Sequence, residues 1–327
     1  VSDEKVNWAK AINLALDDAM AADQRVIVFG EDVADPEGGG IRKATLGLST
    51  KYGARVRTTP IAEQAIIGAA VGAAVAGLRP VAELMLMNFS TVAMDQLTNH
   101  AAKLRFMSGG QTSVPMTVRT TSGTGRSLGG QHADMLEAWF AHTPGIKVVA
   151  PANAHDAYGL LYSCIFDDDP CLFVEHGPSY LQTSPMPERG KGIKLGKAKV
   201  VRPGSDVTLI GYSRTVNDSL AAAAALEEDG ISAEVIDLRT IVPLDMATIL
   251  DSVKKTGRAV MVHEAVRAFG VGAEISARIS EEGWGDLKAP VQRLGGAFCP
   301  IPFAKHLETA FLPSVDDIVG AARATLA

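Results

Sequence analysis

Thr-Pro-Ile-Ala-Glu at residues 59–63 runs straight into Gln-Ala-Ile-Ile-Gly-Ala-Ala-Val-Gly-Ala-Ala-Val-Ala-Gly-Leu at 64–78. No charged residue lies between Glu63 and Arg79, while Ala65, Ala69 and Ala73, and likewise Gly68, Gly72 and Ala76, recur at four-residue spacing. Residues four apart share a helix face, so two faces of this helix are nearly flat. A helix that is apolar all round is a buried one. The run falls short of the roughly 20 apolar residues a membrane span needs. Each glycine weakens the helix by about 1 kcal/mol against alanine, so close packing against another backbone is the expected compensation. Glu63 then stands alone where a buried helix begins. Burial favours the protonated acid and a helix N-terminus the charged one. The residues by themselves leave open whether Glu63 complements the dipole or serves as a hydrogen-bonding acid.

Outward from this helix the chain alternates strand and helix. Lys5 to Ala22 has helical apolar spacing, and Arg25 to Gly30 is a buried strand that delivers Glu31 and Asp32 to its C-terminal edge. In open α/β sheets ligands collect at that edge. Val81 to Leu86 resumes the sheet, and Asn88-Phe89-Ser90 leads into a long helix ending near Met107 to Gly110. Val114 to Arg119 is a further strand. Thr121 to Gly130 is rich in Gly and Ser, predicting a mobile loop that delivers Gln131 and His132. It lacks the Gly-Lys-Ser/Thr of a phosphate-cradling loop. Lys147 to Ala150, a helix from Ala154 to Phe166, and Cys171 to Glu175 complete the first set.

The prolines and glycines between Gly177 and Gly196 read as a linker, after which the alternation restarts and continues to Leu294. The expected organisation is therefore α/β, two domains each with a mostly parallel sheet flanked by helices: residues 1–182, a linker at 183–200, and 201–327. Gly270-Val271-Gly272 lacks the full glycine spacing of a dinucleotide loop and reads as a tight turn.

The totals narrow the function classes. At 327 residues, 47% hydrophobic and 21% charged, the chain has material for a large core. A net charge of −6 gives no electrostatic reason to expect nucleic acid or an anionic membrane as partner. Three cysteines at spacings that match no zinc pattern predict reduced thiols. The first residues form no apolar signal core, and because the chain begins with Val a removed targeting segment stays open.

Phe-Gly-Glu-Asp-Val at 29–33, Thr-Pro-Ile-Ala-Glu at 59–63 and Glu-Leu-Met-Leu-Met-Asn-Phe at 83–89 are followed by Gly-Gly-Gln-His at 129–132. Glu-Ala-Trp-Phe-Ala-His-Thr-Pro-Gly-Ile-Lys-Val-Val at 137–149, Glu-Val-Ile-Asp-Leu-Arg-Thr-Ile-Val-Pro-Leu-Asp at 234–245 and Val-His-Glu-Ala at 262–265 continue the series. In this order and spacing they resemble, nearly end to end, the beta subunits of thiamine-diphosphate-dependent 2-oxo acid dehydrogenases of pyruvate, branched-chain and acetoin type.

That resemblance implies a pyrimidine-binding domain followed by a transketolase C-terminal-like domain. It also implies a partner alpha subunit that holds magnesium and the diphosphate, in an assembly of two alpha and two beta chains with a beta–beta contact, working with a dihydrolipoyl acyltransferase core and its lipoyl domain. The chain contains no Gly-Asp-Gly, the start of the family's magnesium diphosphate motif, which agrees with half an active site. By resemblance Glu63 is the carboxylate that hydrogen-bonds the aminopyrimidine ring nitrogen. Ile61, Met85 and Phe89 form the apolar wall around that ring, and Glu31 is a second carboxylate of the proton network. His132 is the histidine that binds substrate or moves protons as the acyl group passes to lipoamide. Met116, Cys164, Asp167 and Asp169 fall where the family binds potassium, mostly through backbone carbonyls. Trp139 and His142 are expected in a packed helix end. The family pattern continues Gln-His-Ser, whereas Ala133 stands here, which puts the orientation of His132 in question.

The implied function is oxidative decarboxylation of a 2-oxo acid, pyruvate first, with reductive acyl transfer to lipoamide. Acetoin or branched-chain substrates are the alternatives, and a non-catalytic subunit of the same fold is a further one. The implied compartment is the bacterial cytoplasm or, after removal of a transit peptide, the mitochondrial matrix.

Overall fold

The computed structural model describes residues 4–327 and divides the chain into two units. One holds the chain up to Ser122 together with Trp139–Leu195, and the other holds Gly123–Ala138 and Gly196–Ala327.

The first unit contains β1 (Lys5–Asn7), β2 (Val26–Gly30), β3 (Val56–Thr58), β4 (Arg79–Leu84), β5 (Thr117–Ser122), β6 (Lys147–Val149), β7 (Cys171–His176) and β8 (Thr183–Pro185). Six of these pair in the order β6-β7-β5-β4-β2-β3, all parallel. β1 and β8 form a small antiparallel pair. Parallel strands need crossover connections, and helices supply them. Trp8–Ala22, whose start is capped by the Asn7 side chain accepting from the Lys10 N–H, lies with Ala154–Phe166 in one core. Trp8, Ile12, Leu16, Tyr158 and Leu161 of these helices bury completely with Val26, Val28 and Phe173 of the sheet. Each such side chain contributes ~1.5–3 kcal/mol of transfer free energy, which fixes this face of the sheet.

Two expectations need correction. The helix Glu63–Val75 buries only the face carrying Ile66, Ile67, Ala70 and Ala74, while Gln64, Ala65, Ala69 and Gly72 are exposed on this chain. Spacing of small residues reports that a face is flat, not what covers it. The long helix expected up to Met107 is broken into a 3₁₀ turn at Met87–Thr91, a π turn at Gln96–Ala101 and a short helix at Leu104–Met107. Hydroxyls that bond back to the chain account for part of the tightening: Ser90 donates to the Met87 carbonyl at 2.6 Å and Thr91 to that of Asn88 at 2.8 Å.

In the second unit are β9 (Lys199–Arg202), β10 (Val207–Gly211), β11 (Ala233–Asp237), β12 (Thr240–Val242), β13 (Ala259–Val266) and β14 (Gln292–Gly296). The sheet runs β14-β13-β10-β11-β9, parallel except for the edge strand β9. Helices Arg214–Glu228, Met246–Thr256, Val271–Glu282 and Val315–Ala324 flank it. Gly270 and Gly272 press on a buried ring rather than open a dinucleotide site: a Cβ at either would lie 2.8 Å from the His263 imidazole. Among the described residues no helix is long and apolar enough to cross a membrane.

Candidate functional site

β2 and β4 run side by side with Gly30 opposite Glu83, and β3 flanks β2 with Thr58 opposite Gly30. Their C-terminal ends form one edge. A Cβ at Gly30 would lie 2.8 Å from the Glu83 carbonyl oxygen, so glycine lets β4 approach here. The next residue, Glu31, is only 6% exposed, and its Oε1 finds no hydrogen-bond donor among the described residues. Burial, and then the negative charges of Glu63, Asp32 and Glu83, raise its pKa. A carboxyl so placed favours holding a proton.

Glu63 is the first residue of its helix and half-buried, less enclosed than the sequence predicts, because the neighbouring flat face lies on the surface of this chain. The chain reaches it through Thr59, whose N–H donates to the Gly30 carbonyl at 2.9 Å. Ile61 is 81% exposed, whereas Met85 and Phe89, just beyond β4, are half-buried. All three belong to the same strand-end edge as the two carboxylates. They form an apolar border that the chain leaves largely uncovered.

Behind the edge lies a charge ladder that the sequence reading missed. Arg119 on β5 donates to Glu83 at 2.7 Å and grips Glu175 on β7 with two bonds of 2.7 and 3.1 Å, while the Tyr180 hydroxyl donates to Glu175. Burial alone would lower the Arg119 pKa, but Glu175 and Glu83 outweigh it and hold the guanidinium charged. One cation thus serves two buried carboxylates. The available signal was an arginine inside an otherwise uncharged strand.

His132 belongs to the second unit, on the segment Gly123–Ala138, and is exposed. The Gly-rich stretch before it is anchored, contrary to the mobile loop predicted. Glu264 accepts from both the N–H and the hydroxyl of Thr124. Glu308 accepts from the N–H groups of Gly125 at 2.7 Å, Arg126 at 3.3 Å and Ser127 at 3.0 Å. Successive backbone amides make an anion-binding concavity, and here a side chain of the same chain fills it. Ala133 is fully buried against Ile301 and Phe311, so the position calls for an apolar side chain. Trp139 and His142 are exposed on this chain, not packed.

Met116, Cys164, Asp167 and Asp169 come together, but their oxygens are engaged. The Met116 carbonyl accepts the Cys171 N–H at 2.9 Å, and the Cys164 carbonyl the Asp167 N–H at 3.2 Å. Lys147 lies 2.5 Å from the Asp167 carboxylate and 3.3 Å from that of Asp169, which also receives Arg105. Arg79 donates to the Asp167 carbonyl at 2.9 Å. The protein's own cations neutralise these carboxylates, which leaves the backbone carbonyls as the oxygens for any further cation. No cluster of three or more His, Cys, Asp or Glu suited to a metal occurs among the described residues.

The family model for the transketolase pyrimidine-binding domain matches residues 4–182, and that for the transketolase C-terminal domain matches 196–318. The chain is 42% identical over 330 residues to the acetoin:2,6-dichlorophenolindophenol oxidoreductase subunit beta of Cupriavidus necator, covering 98% of each. It is 46% identical over 319 residues to a mitochondrial pyruvate dehydrogenase E1 component subunit beta-2 of Oryza sativa, covering 96% of this chain and 84% of that one. The corresponding Drosophila melanogaster beta subunit is 47% identical over 317 residues, with 95% and 86% covered. Among solved structures, a split-gene transketolase described as an inactive beta4 tetramer superposes with a TM-score of 0.80 at 21% identity, covering 98% of each chain. A transketolase mutant from Pichia stipitis gives 0.72 at 18% identity, covering 99% of this chain and 46% of that one. At those identities the likeness concerns the fold.

Proposed function

Since the chain belongs to the family of pyruvate- and acetoin-type dehydrogenase beta subunits built on transketolase domains, we propose that it forms the pyrimidine side of a thiamine diphosphate site completed by an alpha-type subunit. The reaction proposed is oxidative decarboxylation of a 2-oxo acid, pyruvate first, with the acyl group passed to lipoamide. The observation that carries this reading is the buried Oε1 of Glu31, which finds no donor among the described residues and whose pKa burial, and then Glu63, raises. Two acids at one edge, one inclined to keep its proton, suit a ligand with ring nitrogens.

Bound thiamine diphosphate supplies the electron sink on which a 2-oxo acid loses carbon dioxide. Glu63 holds and moves a proton at the pyrimidine ring nitrogen, and Glu31 keeps a second proton close by. Ile61, Met85 and Phe89 wall the ring and exclude water, which strengthens those hydrogen bonds. His132 gives or takes a proton as the acyl group leaves, a task an imidazole performs near neutral pH. Magnesium and the diphosphate are assigned to the alpha-type subunit, because this chain has no Gly-Asp-Gly. The exposed Ala65, Ala69 and Gly72 face is a flat surface suited to a partner helix, and the assembly proposed is two alpha and two beta chains on an acyltransferase core. The compartment follows the host, bacterial cytoplasm or mitochondrial matrix.

Acetoin is the second reading, favoured by the Cupriavidus necator relative, whose match covers nearly all of both chains. Co-expression with an alpha-type subunit and assay with pyruvate, branched-chain 2-oxo acids and acetoin separates them. Failure on every substrate, with thiamine diphosphate bound no differently by Glu63→Gln, would overturn the proposal.

A further inference from the structure

Glu308 is 2% exposed, and its carboxylate is spent on the backbone amides of Gly125, Arg126 and Ser127. That is an uncommon use of a buried acid, because a charge withdrawn from water must be repaid by charge-assisted bonds. The amides it collects belong to a segment that needs such support. Gly125 has φ +106°, Ser127 φ +54° and Gly129 φ +71°, so three residues in five lie in the left-handed region, one of them not glycine. A backbone of this kind persists only where its surroundings over-determine it. Beyond it, the His132 N–H donates to the Gly129 carbonyl at 3.2 Å, and Ala133 is locked against Ile301 and Phe311. The histidine therefore sits between two fixed points, a carboxylate clamp at 125–127 and an apolar wedge at 133.

We propose that Glu308 is a positioning residue, holding the 125–130 turn in the one conformation that presents His132, with Glu264 securing the entry to that turn at Thr124. It touches neither substrate nor cofactor and acts through the imidazole. The inference rests on the role given to His132 above, and its test is arranged so that the two fail separately. Glu308→Gln keeps the size of the side chain but turns an acceptor into a donor that faces an N–H, so the clamp opens while the core remains filled. Glu308→Asp keeps the charge and shortens its reach, and serves as the graded second variant should the first fail to assemble.

Both variants, His132→Ala and the double variant with Glu308→Gln are compared in the assembled alpha–beta enzyme. Arg126 is exposed, so tryptic cleavage after it reads the turn directly. Expected are several-fold faster cleavage at Arg126 alone in Glu308→Gln, and kcat lower by about 10–100-fold with KM little changed, the size of effect a small misplacement of a reacting group produces. Glu308→Asp recovers part of both. The double variant is no slower than His132→Ala, because residues acting through one group are not additive. Unchanged cleavage at Arg126, or losses that simply multiply in the double variant, would overturn the proposal. Were His132→Ala to keep full activity, the histidine's assigned role would fall, and the cleavage rate would still decide whether Glu308 holds the turn.

Discussion

Glu31 and Glu308 are both carboxylates withdrawn almost completely from water, yet the chain treats them in opposite ways. Glu308 receives three backbone amides. Glu31 keeps an oxygen for which the described residues provide no donor, beside like charges. A buried acid with its bonds made is scaffold. One left without a donor at the ligand-collecting edge of a parallel sheet is open to a donor from a ligand, since an unmade buried hydrogen bond costs about 1–3 kcal/mol. The comparison separates two kinds of buried acid by the work they do, and each prediction below sharpens it.

The largest effect is expected at Glu63. Glu63→Gln keeps the volume and one acceptor but cannot shuttle a proton, so kcat of the assembled enzyme should fall by ~10²–10⁴-fold, the usual worth of a positioned acid–base group. Because Glu63 is half-buried, the melting temperature should hardly move. Wild-type turnover in this variant would remove the ligand-binding side of the comparison.

Next in size is a pH effect within the second unit. Glu137 is buried, its Oε2 without a partner among the described residues, and burial, with Glu264 adding repulsion, pushes its pKa up to about 7 from 4.5. Between those values the folded chain holds a proton that the unfolded chain has released, so stability falls as pH rises from about 4.5 through about 7. At 1.36 kcal/mol per unit the loss approaches ~3 kcal/mol. His263 acts in the other direction: burial lowers its pKa to about 4, so the unfolded chain binds the extra proton and stability falls as pH drops below 6.5. The two slopes oppose each other between about 4.5 and 6.5, so urea midpoints from pH 4 to 8 should run level there and fall above it. Glu137→Gln should remove the alkaline decline, and a decline that persists would show that another group sets it.

A smaller shift is expected at Glu31. Its raised pKa means that ionising it costs stability as pH rises, so Glu31→Gln should raise the melting temperature at pH 8 while weakening thiamine diphosphate binding in the assembled enzyme. A gain in stability together with a loss of binding is the mark of a site residue. A loss of both would place Glu31 with Glu308, as scaffold.

How far the sequence carries the reading differs along the chain. The strand–helix alternation and Gly-rich spacing around Glu63 are local signals, and the α/β architecture in two parts follows from them. The Arg119 ladder joins residues 36 and 56 positions apart, and the Glu308 clamp spans more than 180, so neither is visible in any window of periodicity. The breaks after Met87 come from hydroxyl back-bonds that override an otherwise helical composition. Ala133 shows the limit most plainly. Read beside His132 it raises a doubt about orientation, while in the structure it is a buried wedge against Ile301 and Phe311.

The smallest effect concerns the oxygens around Asp167. Asp167, Asp168 and Asp169 are met by Lys147, Arg79 and Arg105, charge for charge, with only part of each carboxylate in water. With those charges balanced, a further cation gains no net attraction from the carboxylates. The melting temperature should therefore be the same in KCl and choline chloride at equal ionic strength, within about 1 °C, since exposed and half-exposed pairs respond to salt only by general screening. Lys147→Met sharpens the point. It strips the Asp167 carboxylate of its cation and leaves hard oxygen donors without charge balance, the setting in which a small cation binds. That variant should lose stability in choline chloride and recover part of it in KCl. A wild-type chain that already gains from potassium would mean that the protein's own cations do not suffice, and that this corner belongs with Glu31 rather than with Glu308.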